Sequence, residues 1–176
     1  PPSEVTVVYF QFADWWIFYI GMIMPIPAYD IDYLEAAQED MGALFDVAIN
    51  VLKFPYSEFQ KLFLNNELSE RFGKGDSFVI WGKSGTEIAF QITNIEITNE
   101  YRQILTENGL NPILSPEYWA GWSLAYFQWK SGKSFNEILS KISFESIVHL
   151  YFPYHEMDIL HFCDYMDKIF LDDKSI

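Results

Sequence analysis

From residue 33 onward, apolar residues recur at spacings of three and four, which is the pattern of amphipathic helices. The first such stretch covers 33–53 and ends before Pro55, because the residue ahead of a proline disfavours the helical conformation. A second stretch covers 57–73, where Gly73 and Gly75 are residues that end helices. The pattern therefore predicts two helices in the first half of the chain.

Further along, four serines are placed to cap helices: Ser84, Ser115, Ser134 and Ser143. After Ser84 and Ser134 a glutamate follows three residues later, which completes the capping-box pattern. After Ser115 come Pro116 and Glu117, and both residue types favour a helix start. We therefore predict helices over 84–91, 115–130, 134–141 and 143–152.

The remaining stretches are one helix and two candidates for extended chain. The last helix is predicted over 155–170, with an inward stripe of Ile159, Phe162, Met166 and Ile169. Residues 78–81 are a short apolar run compatible with a strand. The stretch 95–114 contains Asn108-Gly109, a pair typical of a turn between two short strands.

Residues 5–26 are almost continuously apolar, interrupted only by Thr6, Gln11 and Asp14. Their length suits a membrane span, but a carboxylate near the middle and the absence of a flanking cation disfavour one. A signal peptide is also disfavoured, because its positively charged first region is missing. A buried strand pair and a buried helix both fit the pattern, and a membrane segment remains the minor alternative.

A chain of 176 residues fits a single domain over 1–176. The fold class expected is mainly α, a compact helical domain, with a small β element in the N-terminal segment, in residues 95–114 or in both as the open alternative. Half of the residues are hydrophobic and 19% are aromatic, so material for a core is abundant. Aromatic residues beyond the needs of a core tend to line partner sites.

The charge is strongly acidic, with 25 Asp and Glu against 11 Lys and Arg. A net charge of -14 disfavours direct nucleic-acid binding and anionic lipid. Three interpretations of the excess carboxylates remain open. They keep the protein soluble, they bind a basic protein partner, or they imitate nucleic acid toward a protein that binds it. The single cysteine, Cys163, excludes an intrachain disulfide and makes the cytoplasm the default location.

Several short motifs resemble catalytic or metal sites without completing them. Gly82-Lys83-Ser84 lacks the earlier glycine of a phosphate-binding loop and is better interpreted as a turn that leads into a helix cap. His155 and His161 are six residues apart, whereas zinc ligands on one helix stand three or four apart. Cys163 has acidic surroundings, so a buried thiol is expected. We expect no metal site, no cofactor and no catalytic residues of a known pattern.

The most informative segment is 118–129, which is crowded with aromatic side chains. Trp119, Trp122, Tyr126 and Trp129 follow spacings of three, four and three, so they share one helix face. Their small neighbours Ala120, Gly121 and Ala125 permit close approach of another helix. Two interpretations remain open: the segment is the central core helix, or one end of its aromatic face lines a groove for a partner.

Three sequence blocks resemble the signature of a known group. They are WGKSGTEIA at 81–89, SPEYWAGWSLAYFQW at 115–129 and PYHEMDI at 153–159. The chain resembles an uncharacterised family of small bacterial proteins that are sometimes encoded near toxin–antitoxin-like genes. The resemblance covers 55–171 and leaves out the apolar, acidic segment 1–54. It implies a small intracellular interaction protein, antitoxin-like or regulator-like, and offers no catalytic residues.

The leading hypothesis is a non-enzymatic protein-interaction module that binds a partner protein, basic in character, through acidic and aromatic surface. The expected binding residues are Trp119, Trp122, Tyr126, Trp129, His155, Glu156 and Asp158. One alternative is an acidic inhibitor that imitates nucleic acid toward a basic nucleic-acid-binding protein. Another is a small enzyme with His155 as base beside Glu156 in an aromatic pocket.

Overall fold

The chain is seen in a computed structural model that describes residues 26–107 and 115–172. Throughout these residues the regular structure is helical, with no strand, so the mainly α prediction is confirmed for them. The predictions for residues 5–25 and for the Asn108-Gly109 turn lie outside the described residues. Within the described ranges, no helix combines the length and the apolarity that crossing a bilayer requires.

Eleven α-helices follow one another in the described residues. They are α1 (Leu34–Asp46), α2 (Tyr56–Leu64), α3 (Glu67–Gly73), α4 (Ser77–Ile80), α5 (Gly85–Thr93), α6 (Asn99–Glu107), α7 (Pro116–Ser131), α8 (Phe135–Lys141), α9 (Phe144–His149), α10 (Tyr151–Tyr154) and α11 (Ile159–Asp172). A 3-10 turn, Ile31–Tyr33, precedes α1, and a π turn, Val47–Val51, continues it. The helix predicted over 33–53 is therefore confirmed, with its last turn widened.

The serine caps form as predicted, because each depends only on residues within one turn. Ser84 and Ser134 both show the complete capping box with a glutamate three residues on. The Ser115 hydroxyl accepts from the Tyr118 backbone N–H at 2.9 Å, and the Ser143 hydroxyl accepts from that of Ser146 at 3.1 Å. These local bonds satisfy backbone N–H groups that have no partner within the helix.

Two predicted segments in the first half need correction, and an unrecognised cap explains each. The helix predicted over 57–73 is divided, since the Asn66 side chain accepts from the Leu68 N–H at 2.9 Å and starts α3. The run 78–81 is a helical turn and not a strand, because Asp76 accepts from the Phe78 N–H at 2.9 Å. Asn and Asp act as caps as readily as Ser.

Three predictions in the second half also need correction. The helix predicted over 143–152 is divided into α9 and α10, and α10 includes Pro153. Residues 99–107 are helical and not a strand, and the Tyr101 ring packs edge-to-face on Phe90 at 5.3 Å. The last helix begins at Ile159 and not at His155, because the Asp158 side chain accepts from the Leu160 N–H at 2.8 Å. The inward stripe predicted for α11 is confirmed at its centre, where Phe162 and Met166 are fully buried.

The centre of the molecule is the crossing of α1 and α7, which pack on each other more extensively than any other pair of helices in the described chain. A Cβ atom on Gly121 of α7 would collide with the backbone carbonyl of Met41 on α1. At Gly42 a Cβ atom would lie 2.7 Å from the ring of Tyr118. The prediction of close helix approach at Gly121 is therefore confirmed, and backbone meets backbone there.

Phenylalanine side chains fill the core around this crossing. Phe45 of α1 lies 5.3 Å from Phe59 and 5.2 Å from Phe63, measured between ring centroids, and stacks on Phe144. All four rings are fully buried. Burial of each such side chain stabilises the fold by about 1.5–3 kcal/mol. The helices α2 and α9 are held against α1 through this cluster.

A polar network fixes the start of α7 against the π turn. The Asn50 amide donates to Asp46 at 2.8 Å and to Glu117 at 3.1 Å. The Ser115 hydroxyl donates to Asp46 at 2.5 Å, and the Tyr56 hydroxyl donates to Glu117 at 2.5 Å. Burial, together with this bond to a carboxylate, raises the pKa of Tyr56. The widened turn therefore places Asn50 where it joins the carboxylates of α1 and α7.

We expect Gly121→Ala to lower the free energy of unfolding by about 1–3 kcal/mol or more, because a methyl group at this position has only backbone to displace. Urea unfolding followed by tryptophan fluorescence measures the change. Gly73→Ala is the matched control: its Cβ atom would meet the Phe135 ring at an ordinary 3.4 Å. An equal loss for both variants would contradict the close crossing.

Candidate functional site

The outward side of α7 carries the four aromatic residues of the predicted face. Trp119, Trp122, Tyr126 and Trp129, named here the aromatic face, are all half-buried. The Trp122 and Tyr126 rings stack with centroids 6.5 Å apart, and Tyr126 lies 5.8 Å from Trp129. The opposite side of the helix, with Ala120, Leu124 and Phe127, is fully buried. The helix is thus both the core helix and the carrier of a partly open aromatic surface.

A cleft of about 480 Å³ opens at the N-terminal half of this face. Its walls come from α1, α7, α10 and the start of α11, and we name it the aromatic cleft. It is lined by Glu39, Tyr118, Trp119, Trp122, Tyr151, Tyr154, His155, Met157 and Ile159. The Trp119 indole is fixed at its base by edge-to-face contacts with Tyr151 at 5.8 Å and Phe162 at 5.6 Å.

The α1–α7 crossing positions one wall of the cleft. The Tyr118 ring rests on Gly42, where a side chain would occupy its place. Burial raises the pKa of Tyr118, and the nearby carboxylates Glu39, Asp40 and Asp46 raise it further. The tyrosine hydroxyl therefore stays protonated and able to donate a hydrogen bond, in an environment made negative by α1.

His155 is held in the cleft wall by the turn that precedes it, Tyr151–Tyr154. Its Nδ1 lies 2.8 Å from the Tyr151 carbonyl oxygen, and a carbonyl only accepts, so Nδ1 carries a proton and donates it. The imidazole stacks on the Tyr151 ring with centroids 4.0 Å apart. In the neutral ring Nε2 is then the acceptor. That atom lies 3.7 Å from the Glu156 carboxylate, whose side chain is largely exposed.

Of the residues predicted for binding, the cleft brings together Trp119, Trp122 and His155. Tyr126 and Trp129 continue the aromatic face outside the cleft, and the Trp129 indole donates to the Tyr29 carbonyl at 2.8 Å. The two predicted carboxylates are not among the residues that line the cleft: Glu156 is exposed, 3.7 Å from Nε2 of His155, and Asp158 caps α11.

The cleft also contains six residues that the sequence did not single out for binding: Glu39, Tyr118, Tyr151, Tyr154, Met157 and Ile159. Tyr118 lies in the block 115–129, and Tyr154, Met157 and Ile159 lie in the block 153–159. The family resemblance is based on these blocks, so a signal existed for these four. Glu39 had none, because it lies on α1, far from both blocks in sequence, and only tertiary packing brings it to them.

Asp40 lies next to Glu39, beneath the N-terminus of α5. Its carboxylate accepts from the Gly85 backbone N–H at 2.8 Å, and Gly85 sits so close to the Asp40 carbonyl that no side chain fits between them. Burial raises the pKa of Asp40 to about 7, and Glu39 and Glu87 add to this, while the Gly85 bond opposes it. The turn at 82–85 thus delivers a helix cap, as predicted.

We expect Asp40→Asn to stabilise the protein above pH 7. An aspartate with a folded-state pKa of about 7, above its ordinary 3.8, favours folding while it is protonated. That contribution is fully present below pH 4 and is lost as the pH rises toward 7. Asparagine keeps the acceptor for Gly85 without the charge.

Thermal unfolding from pH 4 to pH 8 tests this expectation. The variant should unfold a few degrees higher than the unaltered protein at pH 8, with a difference that shrinks toward pH 4. Glu35→Gln removes the same charge from an exposed site on α1 and serves as the control. A pH-independent difference for Asp40→Asn, or one matched by Glu35→Gln, would contradict the assignment.

Cys163 is fully buried, which confirms the prediction of a buried thiol. Burial raises its pKa to about 12, so the thiol is protonated and unreactive at neutral pH. In the described part of the chain, no three or more His, Cys, Asp or Glu side chains are grouped as metal ligands.

Comparison of the chain with protein-family models, with curated proteins and with solved structures gives no match.

Proposed function

We propose that the protein is a non-enzymatic interaction module that binds a partner protein through the aromatic face and the aromatic cleft. The observation that carries this proposal is the continuity of the two features. The rings of Trp122, Tyr126 and Trp129 are in sequential contact along α7, and the face continues at Trp122 into the cleft.

The residue types of this surface are those that dominate binding energy at protein interfaces. Trp and Tyr are enriched among hot-spot residues, since they bury much apolar area and lose little conformational freedom. Here the indoles are also held in place from behind: Trp119 by Phe162, and Trp129 by its bond to Tyr29. A surface that is ordered before binding loses less entropy when a partner docks.

The partner that this surface favours is basic. With a net charge of -14, the protein attracts cationic surfaces over long range and repels anionic ones. The family resemblance adds an antitoxin-like or regulator-like role for the module. Binding should then weaken as salt is raised, because screening removes the long-range part of the attraction.

We expect Trp122→Ala to weaken binding of such a partner by at least about 2 kcal/mol, roughly 30-fold. Proteins retained from a lysate of the source organism by the immobilised chain are compared with those retained by the variant. Any protein that is retained by the unaltered chain but not by the Trp122 variant is purified. Its affinity for the unaltered chain and for the variant is then measured by calorimetry.

Trp81→Ala is the matched control, because the Trp81 indole is 67% exposed and lies outside both the face and the cleft. Retention of the partner by this control shows that the effect is specific to the aromatic face. The proposal is contradicted if purified partners bind equally to the unaltered chain and the Trp122 variant, or if no retained protein depends on Trp122.

A small enzyme is the second candidate function, and the setting of His155 is the observation that favours it. The bond from Nδ1 to Tyr151 leaves Nε2 as the acceptor of the neutral ring, which suits a general base, and the ring is part of the cleft wall. The signature blocks at 115–129 and 153–159 meet at this cleft, as that hypothesis requires. This candidate is favoured if the unaltered chain shows an enzymatic activity that His155→Gln loses, while His155→Gln still binds the partner.

A further inference from the structure

We propose that the aromatic cleft binds the guanidinium group of an arginine side chain presented by the partner. This inference rests on the proposed function and names the chemical group that the partner places in the cleft. Three observations support it: the aromatic composition of the cleft walls, the single carboxylate among the lining residues, and the volume of the cleft.

Five aromatic rings line the cleft: Tyr118, Trp119, Trp122, Tyr151 and Tyr154. The face of an aromatic ring is electronegative, and a cation above it within about 6 Å is attracted, most strongly by tryptophan. An arginine side chain suits such walls better than lysine does, because its planar guanidinium stacks on rings and is less strongly hydrated. Walls of this kind also contact the methylene stem that carries the group.

Among the described residues that line the cleft, Glu39 is the one with a formal charge when histidine is counted as neutral. It is exposed at the rim on α1, on the side of Tyr118. A carboxylate there can accept two parallel N–H bonds from a guanidinium that lies between the rings. Asp40, the next residue, adds negative potential on the same side when its carboxyl group is ionised.

Lys83 is not among the residues that line the cleft; it lies in the neighbouring hollow, which Glu39 and Glu87 also line. The pKa of Glu87 is lowered chiefly by its capping bonds to Ser84 and further by Lys83. A volume of about 480 Å³ falls in the range of about 300–1,000 Å³ typical of sites that enclose small ligands. It accommodates an arginine side chain together with flanking atoms of the partner chain.

The experiment titrates two small probes into the full-length protein. One is N-acetyl-arginine amide, and the other is N-acetyl-citrulline amide, which has nearly the same shape without the charge. The indole N–H resonances of Trp119 and Trp122 are followed by NMR, with Trp→Phe variants to assign them. We expect the arginine probe to shift both resonances, and the citrulline probe to bind about ten-fold more weakly.

Two variants test the part of the carboxylate. Glu39→Gln should weaken binding of the arginine probe about five- to ten-fold, since the charge is lost and the shape is kept. Glu35→Gln, one turn earlier on α1, removes the same charge outside the cleft and should leave binding unchanged. Because both sites are exposed, neither change threatens folding.

Equal binding of the two probes, no shift with either, or equal effects of the two glutamate variants would each overturn the arginine assignment. The proposed function is distinguished by repeating the calorimetry with its partner. If Trp122→Ala abolishes partner binding while Glu39→Gln leaves it intact, the aromatic face binds the partner but the cleft does not hold an arginine. If Trp122→Ala has no effect on the partner, the proposed function itself fails.

Discussion

The fold depends on one close contact, the crossing of α1 and α7 at Gly42 and Gly121. At this point the backbone of one helix touches the backbone of the other, so no larger residue is compatible with the same geometry. A third glycine, Gly85, sets the N-terminus of α5 against the carbonyl of Asp40 in the same way. Three helices are thereby brought to a common centre, and the phenylalanine cluster around Phe45 packs on it.

The candidate site is a consequence of this crossing. When α7 lies close on α1, its buried side is occupied by small and aliphatic residues, and its large indoles are directed to the other side. The same approach brings Glu39 of α1 to the edge of the aromatic cleft and seats the Tyr118 ring on Gly42. The helices α10 and α11 then close the cleft through contacts of Trp119 with Tyr151 and Phe162.

Features that depend on one helical turn were predictable from the sequence, and features that depend on distant contacts were not. The caps at Ser84, Ser115 and Ser134 are local and were predicted, whereas the caps at Asn66 and Asp76 were overlooked although their chemistry is the same. The shared face of the aromatic residues follows from helical periodicity. Glu39 joins the cleft only through tertiary packing, so no pattern along the chain indicates it.

Native-state hydrogen exchange tests the central role of the crossing most directly. If the contact at Gly42 and Gly121 organises the fold, the amides of 37–46 in α1 and 120–128 in α7 should exchange most slowly. Both sets should open only with global unfolding, at the same free energy that urea unfolding gives. Exchange of the α7 amides through a separate opening of lower free energy, while α1 stays protected, would contradict the account.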